Sequence, residues 1–365
     1  MNLSAVLQKI ATGPHLSKNL SEQEAYEAMS AIQSGDVHDV QAGIFFIALR
    51  MKRESPEEMI GVFRSILDAA PSQQLSVPEL VTISDQYAGY SRGLPSSAFV
   101  PAVLSALGIA SVSHSPKTMS PKYGLTVLSV LEACGVKACE SLVSASSRLE
   151  KNSGWVVIDQ SVITPKLAGL NGLRDLIVKR PCLSTLECCV RPFHATRKNH
   201  LVTGYVHKPY PPIYAMCADV AGFDSATFVR GVEGGIVPSV AQISRYFPWH
   251  REQHAKPGSI VAFDDIGLTE VPIDPADLGI EQTARATPWP EVDVSNHAVA
   301  AQHCAELGMA ALQGEMGVMR DAVRLGAAVA FAGCRQESIN SALESVDAVL
   351  ESGQAWRCFA ETRTI

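Results

Sequence analysis

Apolar residues first recur at helical spacing. Leu3, Val6, Leu7 and Ile10 fall on one face of a 3.6-residue period. Ser21-Glu22-Gln23-Glu24 reads as a capping box, with Ser21 as N-cap and Glu24 three residues on. The helix that follows, 25–32, ends near Ser34-Gly35. A second helix is expected over 36–51, with Ala42, Ile44, Phe45, Ile47 and Ala48 on its apolar face. Ser55-Pro56-Glu57-Glu58 opens a third: proline suits the first helical position and acids suit the first turn.

After Pro78 the texture changes. Leu80 to Ile83 is a short apolar strand ending in Ser84-Asp85, and a turn-rich stretch leads to a helix over 96–107. Gly108 caps that helix, and Ile109 to Val112 is another strand. Strand, loop, helix, strand is the unit of a parallel sheet. The pattern returns as helix 128–134, strand 155–158, helix 215–220 and strand 226–229. Three helical stretches, 298–313, 319–332 and 337–352, close the chain. The expected fold class is α/β: a small N-terminal helical domain over 1–75, with a segment at about 160–190 packed on it, and a larger α/β domain over 76–365. The larger domain has a mostly parallel central sheet flanked by helices. Any ligand crevice belongs at the carboxyl ends of its strands.

Bulk properties narrow the class. The chain has 365 residues, 47% of them hydrophobic and 18% charged, enough for a large core. A net charge of −7 argues against nucleic-acid binding over the whole surface and leaves a local basic groove open. The nine cysteines form no CxxC pair; they read as buried reduced thiols and imply a cytoplasmic protein. The N-terminus has no signal-peptide character. The most apolar late run, 326–334, is too short to span a bilayer, so no membrane partner is expected.

Several stretches resemble a known family when taken in order. They are Leu20 to Ala25, Ile32 to Gly35, Gln41-Ala42, Ala48 to Lys52, Glu54 to Glu58, His114, Ser120 to Gly124, Leu131 to Gly135, Leu173-Arg174, Gly314-Glu315, Arg320 to Val323 and Ser352 to Ala355. Together they resemble the anthranilate phosphoribosyltransferases across essentially the whole chain. The resemblance implies a helical domain beside an α/β domain and a homodimer formed through the helical domain. It also implies ribosyl phosphate transfer from phosphoribosyl pyrophosphate to an aromatic amine, using magnesium.

The motifs that carry this chemistry depart from the family pattern. Its Gly-Thr-Gly-Gly-Asp loop lets backbone N–H groups close on phosphates; here it reads Asp85-Gln86-Tyr87-Ala88-Gly89, with bulky side chains intruding. Its Asn-x-Ser-Thr element reads Pro95-Ser96-Ser97-Ala98. Ser96 and Ser97 at a helix start suit an anion or simple capping. Its Lys-His-Gly-Asn-Arg loop reads Ser113-His114-Ser115-Pro116-Lys117, keeping His114 and a basic Lys117, while Lys122 matches a later family lysine. Arg174 falls where the family arginine meets the anthranilate carboxylate, and Arg180 matches a second arginine; a guanidinium fork suits carboxylate or phosphate. The family's magnesium-holding Asp-Glu pair is apolar here, in Arg230-Gly231-Val232-Glu233-Gly234-Gly235-Ile236-Val237. Hard Mg²⁺ needs oxygen ligands, and displaced Glu233 alone is a poor substitute, so no cofactor is assigned. His250 and His254, four apart, suggest a metal pair, but no third ligand lies near in the sequence.

The Tyr-x-Gly-x-x-Arg pattern of Tyr87, Gly89 and Arg92, with Gly231-x-Glu233-Gly234, resembles a divergent branch of the family. Members of that branch lack the standard phosphoribosyl pyrophosphate motifs, and some bind nucleic acid through a basic groove on the dimer without transferase activity. Charge patterning points the same way: Lys166 to Lys208 holds eight basic residues against two acidic ones, with His194, His200 and His207 besides. A solvated face is the plainer reading of such a run. The expected ligand is a small phosphate-containing anion or single-stranded nucleic acid; activity on an unknown acceptor is the other reading. Candidate ligand contacts are Tyr87, Gly89, Arg92, Ser96, Ser97, His114, Lys117, Lys122, Arg174 and Arg180.

Overall fold

The computed structural model describes residues 3–13, 15–151, 154–253, 267–280 and 296–363. Four helices open the chain: α1 (Leu3–Ile10), α2 (Glu22–Gln33), α3 (Asp39–Lys52) and α4 (Pro56–Ala69). Ser21 caps α2 and Glu24 reaches back to the Ser21 amide at 2.7 Å, so the capping box forms as its spacing requires. Ser55 and Glu58 make a second box at the start of α4. Each such cap contributes about 1 kcal/mol by satisfying amides that have no helical partner. Helix α3 starts later than its hydrophobic pattern suggests, because the His38 ring caps it through the Val40 amide.

The strands are β1 (Gln73–Gln74), β2 (Glu79–Ser84), β3 (Ala110–Ser115), β4 (Trp155–Asp159), β5 (Phe193–His194), β6 (Lys198–Gly204), β7 (Ser225–Val229), β8 (Ser244–His250) and β9 (Val271–Ile273). Seven form one sheet in the order β4-β3-β2-β6-β7-β8-β9, while β1 and β5 pair separately. Neighbours from β4 through β7 are parallel, and β8 and β9 join antiparallel. The α/β class and the mostly parallel sheet are therefore present.

Strand β6 lies at the sheet's centre, yet its pattern does not reveal it. Only Leu201 and Val202 are strongly apolar in Lys198–Gly204, but the strand is buried from its second residue. Its interior His200 is accommodated by Glu79 at 2.8 Å and by the Ser225 hydroxyl.

One face of the sheet carries a core built on Phe99, Trp155 and Phe359 with the late helices. The other face shares an apolar cluster with the opening helices, which also takes in Leu167, Leu173, Leu183 and Leu186. The helix Asn171–Ile177 packs against α3, and Tyr210–Val220 against α4. The carboxyl ends of β2, β6 and β7 consequently face the end of α3.

Candidate functional site

The loop after β2 begins with a buried carboxylate. Asp85 accepts hydrogen bonds from the Gln86 amide (2.8 Å), the Tyr90 hydroxyl (2.9 Å) and the Ser97 hydroxyl. Burial pushes its carboxyl above the ordinary range although all three donors favour the charged form. The Ser97 hydroxyl is thus committed to Asp85. Ser96 and Ser97 are buried beside a carboxylate, and a second anion at their helix start would meet its charge.

Tyr87 turns inward. It is 3% exposed, and its hydroxyl pairs with His114 Nδ1. His114 is wholly buried, and burial pushes its imidazole down to about 3, so it is neutral at pH 7. It offers no cationic contact to phosphate. Arg174 is buried as well: its fork donates to both Glu187 oxygens at 2.7 and 2.8 Å. A ligand carboxylate would have to displace Glu187. Lys117 lies on the surface, paired with Glu132 at 2.9 Å.

The remaining candidates come together. Gly89 has φ +70°, and a Cβ there would strike the Gly124 backbone. This close approach pairs Tyr90 with Leu125 and brings Lys122 to the Gly89 carbonyl at 2.8 Å. Lys122 also forms an ion pair with Glu233. Glu233 stands in the loop after β7, where Gly235 passes so close to Tyr90 that a Cβ would overlap its hydroxyl. From there the Glu233 carboxylate accepts the amides of Ser91 (3.1 Å), Arg92 (2.8 Å) and Gly93 (2.9 Å), and the Ser91 hydroxyl at 3.2 Å. Burial opposes its charge, but Lys122 and these amides outweigh burial and hold the carboxyl below the ordinary range. Burial, together with nearby Arg180 and Arg92, pulls the Lys122 ammonium down against Glu233's attraction.

Beside this cluster opens a crevice of about 730 Å³ between the end of α3 and the carboxyl ends of the strands. Arg50, Arg53, Lys179, Arg180 and His207 line it, with Glu54 as its one acidic side chain and Tyr205, Tyr210 and Tyr214 on its wall. Among the described residues none of those four arginines and lysines forms an ion pair with a carboxylate. The Arg50 guanidinium does donate to the Arg180 carbonyl. Gln86 also lines the crevice, and its buried Nε2 has no partner among the described residues. Of the residues singled out from the sequence as ligand contacts, Arg180 alone lines the crevice. Arg50, Arg53, Lys179 and the tyrosines come from separate segments that no local motif joins.

Magnesium does not fit the residues present. Ile236 and Val237, at the family's acidic pair, are buried and apolar. The Glu233 oxygens are taken by amides and an ammonium. Among the described residues no group of three or more His, Cys, Asp or Glu side chains is placed to hold a metal ion. His250 ends β8, while His254 lies outside the described residues. The nine cysteines are free thiols, eight of them buried. No described helix is long and apolar enough to cross a membrane.

A helical bundle packs beside a mostly parallel sheet, with a crevice where they meet. Residues 4–70 match the helical bundle domain of a glycosyl transferase family. An uncharacterized protein of Aquifex aeolicus is 30% identical over 60% of this chain and 65% of its own length. The anthranilate phosphoribosyltransferase of Bacillus caldotenax is 31% identical over 64% of this chain and 91% of its own length. Among solved structures, the anthranilate phosphoribosyltransferase of Thermus thermophilus aligns with a TM-score of 0.76 at 21% identity, covering 100% of this chain and 99% of that one. The chain belongs to the anthranilate phosphoribosyltransferase family.

Proposed function

We infer that this family member does not catalyse the anthranilate reaction and instead binds a phosphate-containing anion in the crevice. The observation that carries the reading is the group of cations without carboxylate partners among the described residues, Arg50, Arg53, Lys179 and Arg180, around a cavity of small-ligand size. Cations held without carboxylate partners repel one another and gain when an anion arrives. The loss of transferase activity is supported by the occupied cradle. Asp85 and Tyr87 fill the loop where phosphates would be received, Glu233 takes the adjacent amides, and Ile236 and Val237 supply no metal ligands. Incubation with anthranilate, phosphoribosyl pyrophosphate and magnesium is expected to yield no product, and the chain is expected not to rescue a tryptophan auxotroph lacking the enzyme. Rescue would overturn this half of the reading.

A second reading is favoured by the aromatic wall. Tyr210 lies 6.2 Å, centroid to centroid, from both His207 and Tyr214, beside the basic side chains. Rings with adjacent cations suit single-stranded nucleic acid, which stacks its bases and spreads its phosphates. In that case the chain works as a homodimer, joined through its opening helices, that carries a groove on each copy. The expected result is a salt-dependent mobility shift with single-stranded oligonucleotides; no shift at low salt removes this reading and leaves the small anion.

A further inference from the structure

The Glu233 carboxylate sits where an oxyanion would. Three consecutive amides, Ser91, Arg92 and Gly93, converge on it within 3.1 Å, and the Ser91 hydroxyl and the Lys122 ammonium complete the ring. Consecutive N–H groups aimed at one point form an anion-binding nest. An ordinary salt bridge needs one cation; here the Lys122 ammonium is joined by three backbone amides and a hydroxyl on a single carboxylate. Ser91 and Arg92 are exposed residues at the edge of the nest, whereas the Glu233 side chain that fills it is 5% exposed. Glu233 itself projects from a short turn, Val232–Gly234, beyond the end of β7. The nest has a backbone anchor of its own in the pairing of Tyr90 with Leu125.

We propose that the Ser91–Gly93 nest with Lys122 is a phosphoryl-binding site, and that Glu233 is a built-in ligand which a phosphate must displace. A phosphate monoester offers three terminal oxygens and a charge of about −1.5 to −2 at neutral pH, against two oxygens and one charge on the carboxylate. It matches the number of donors better than Glu233 does. The tethered carboxylate competes at high effective concentration, so neutralising it exposes the intrinsic affinity of the nest. The idea deepens the crevice reading and rests on it only for the rest of the ligand; the nest itself is tested by phosphate alone.

The test is calorimetric titration of the full chain with inorganic phosphate at low salt, with a parallel series using pyrophosphate. Glu233→Gln is expected to bind phosphate at least about tenfold more tightly than the unaltered chain. Adding Lys122→Met should abolish that gain, and adding Lys117→Ala, on the surface beside Glu132, should leave it. Equal affinity in Glu233→Gln and the unaltered chain overturns the proposal. So does a gain that survives Lys122→Met, or one that Lys117→Ala removes. The two readings separate: if Arg53→Ala does not weaken pyrophosphate binding, the crevice reading fails, while a gain dependent on Lys122 still upholds the nest. Should Glu233→Gln fail to fold, amide resonances of the unaltered chain decide. Phosphate-induced shifts at Ser91, Arg92 and Gly93 are expected, and their absence at saturating phosphate overturns the proposal.

Discussion

The two ends of the parallel sheet handle charge in opposite ways. At the amino end, Glu79 meets His200 at 2.8 Å and both terminal nitrogen-to-oxygen contacts of Arg335 fall at 2.6 and 2.7 Å, while the Ser225 hydroxyl takes the other side of the imidazole. That group closes on itself and holds β2, β6 and β7 in register. At the carboxyl end, Arg50, Arg53, Lys179 and Arg180 line a cavity without carboxylate partners among the described residues. A closed network explains architecture and asks for nothing more. An open surplus is what the proposed anion would neutralise.

Between the two lies Arg174 with Glu187, a closed pair set just behind the crevice. Breaking it gives the sharpest contrast. Arg174→Ala leaves Glu187 buried with Gln160 as its remaining side-chain partner at 2.9 Å, and should cost about 3–5 kcal/mol in urea denaturation. A small loss would move Arg174 from the closed class to the ligand-binding one. Next in size, Gly235→Ala forces a Cβ against Tyr90 and Asp85 and should cost about 1–3 kcal/mol.

Glu79→Gln tests the amino end itself. Burial opposes the Glu79 charge, but His200 and Arg335 outweigh it and hold the carboxyl down at about 2, against an ordinary 4.5. A depressed carboxyl stabilises the fold fully above its unfolded value and loses that contribution as pH falls toward its folded value. The contribution, about 1–2 kcal/mol after allowance for solvent screening, should therefore fade between pH 4.5 and 2 and be missing from the variant. Smallest of all, Arg53→Ala and Lys179→Ala should change stability by no more than about 0.5 kcal/mol, since neither side chain has a carboxylate partner to lose among the described residues. Both should nevertheless weaken anion binding and flatten its salt dependence.

What was legible in the sequence was mostly local. The Ser21 capping box, the apolar run of β2 and the turn at Gly108 announce themselves because their partners lie within a few residues. Strand β6 did not, since His200 in its interior is satisfied by Glu79, 121 residues away, and by Ser225. The site divides in the same way. Family position picked out Lys122 and Arg180, which sit in or beside the charged crevice, and equally Arg174 and His114, whose polar groups turn inward. Nothing in Gly231 to Gly235 says that Glu233 reaches amides some 140 residues earlier. Burial and pairing decide which conserved-looking polar residues remain available, and those are properties of the folded chain.

The central claim is that the carboxyl-end surplus binds a phosphate anion without magnesium and without transfer. Calorimetry with phosphoribosyl pyrophosphate, in magnesium and then in a chelator, tests it most directly. The account predicts the same saturable heat in both, reduced in an Arg53→Ala and Lys179→Ala double variant, with no product when anthranilate is added. Heat that requires magnesium and is followed by turnover of anthranilate would contradict it.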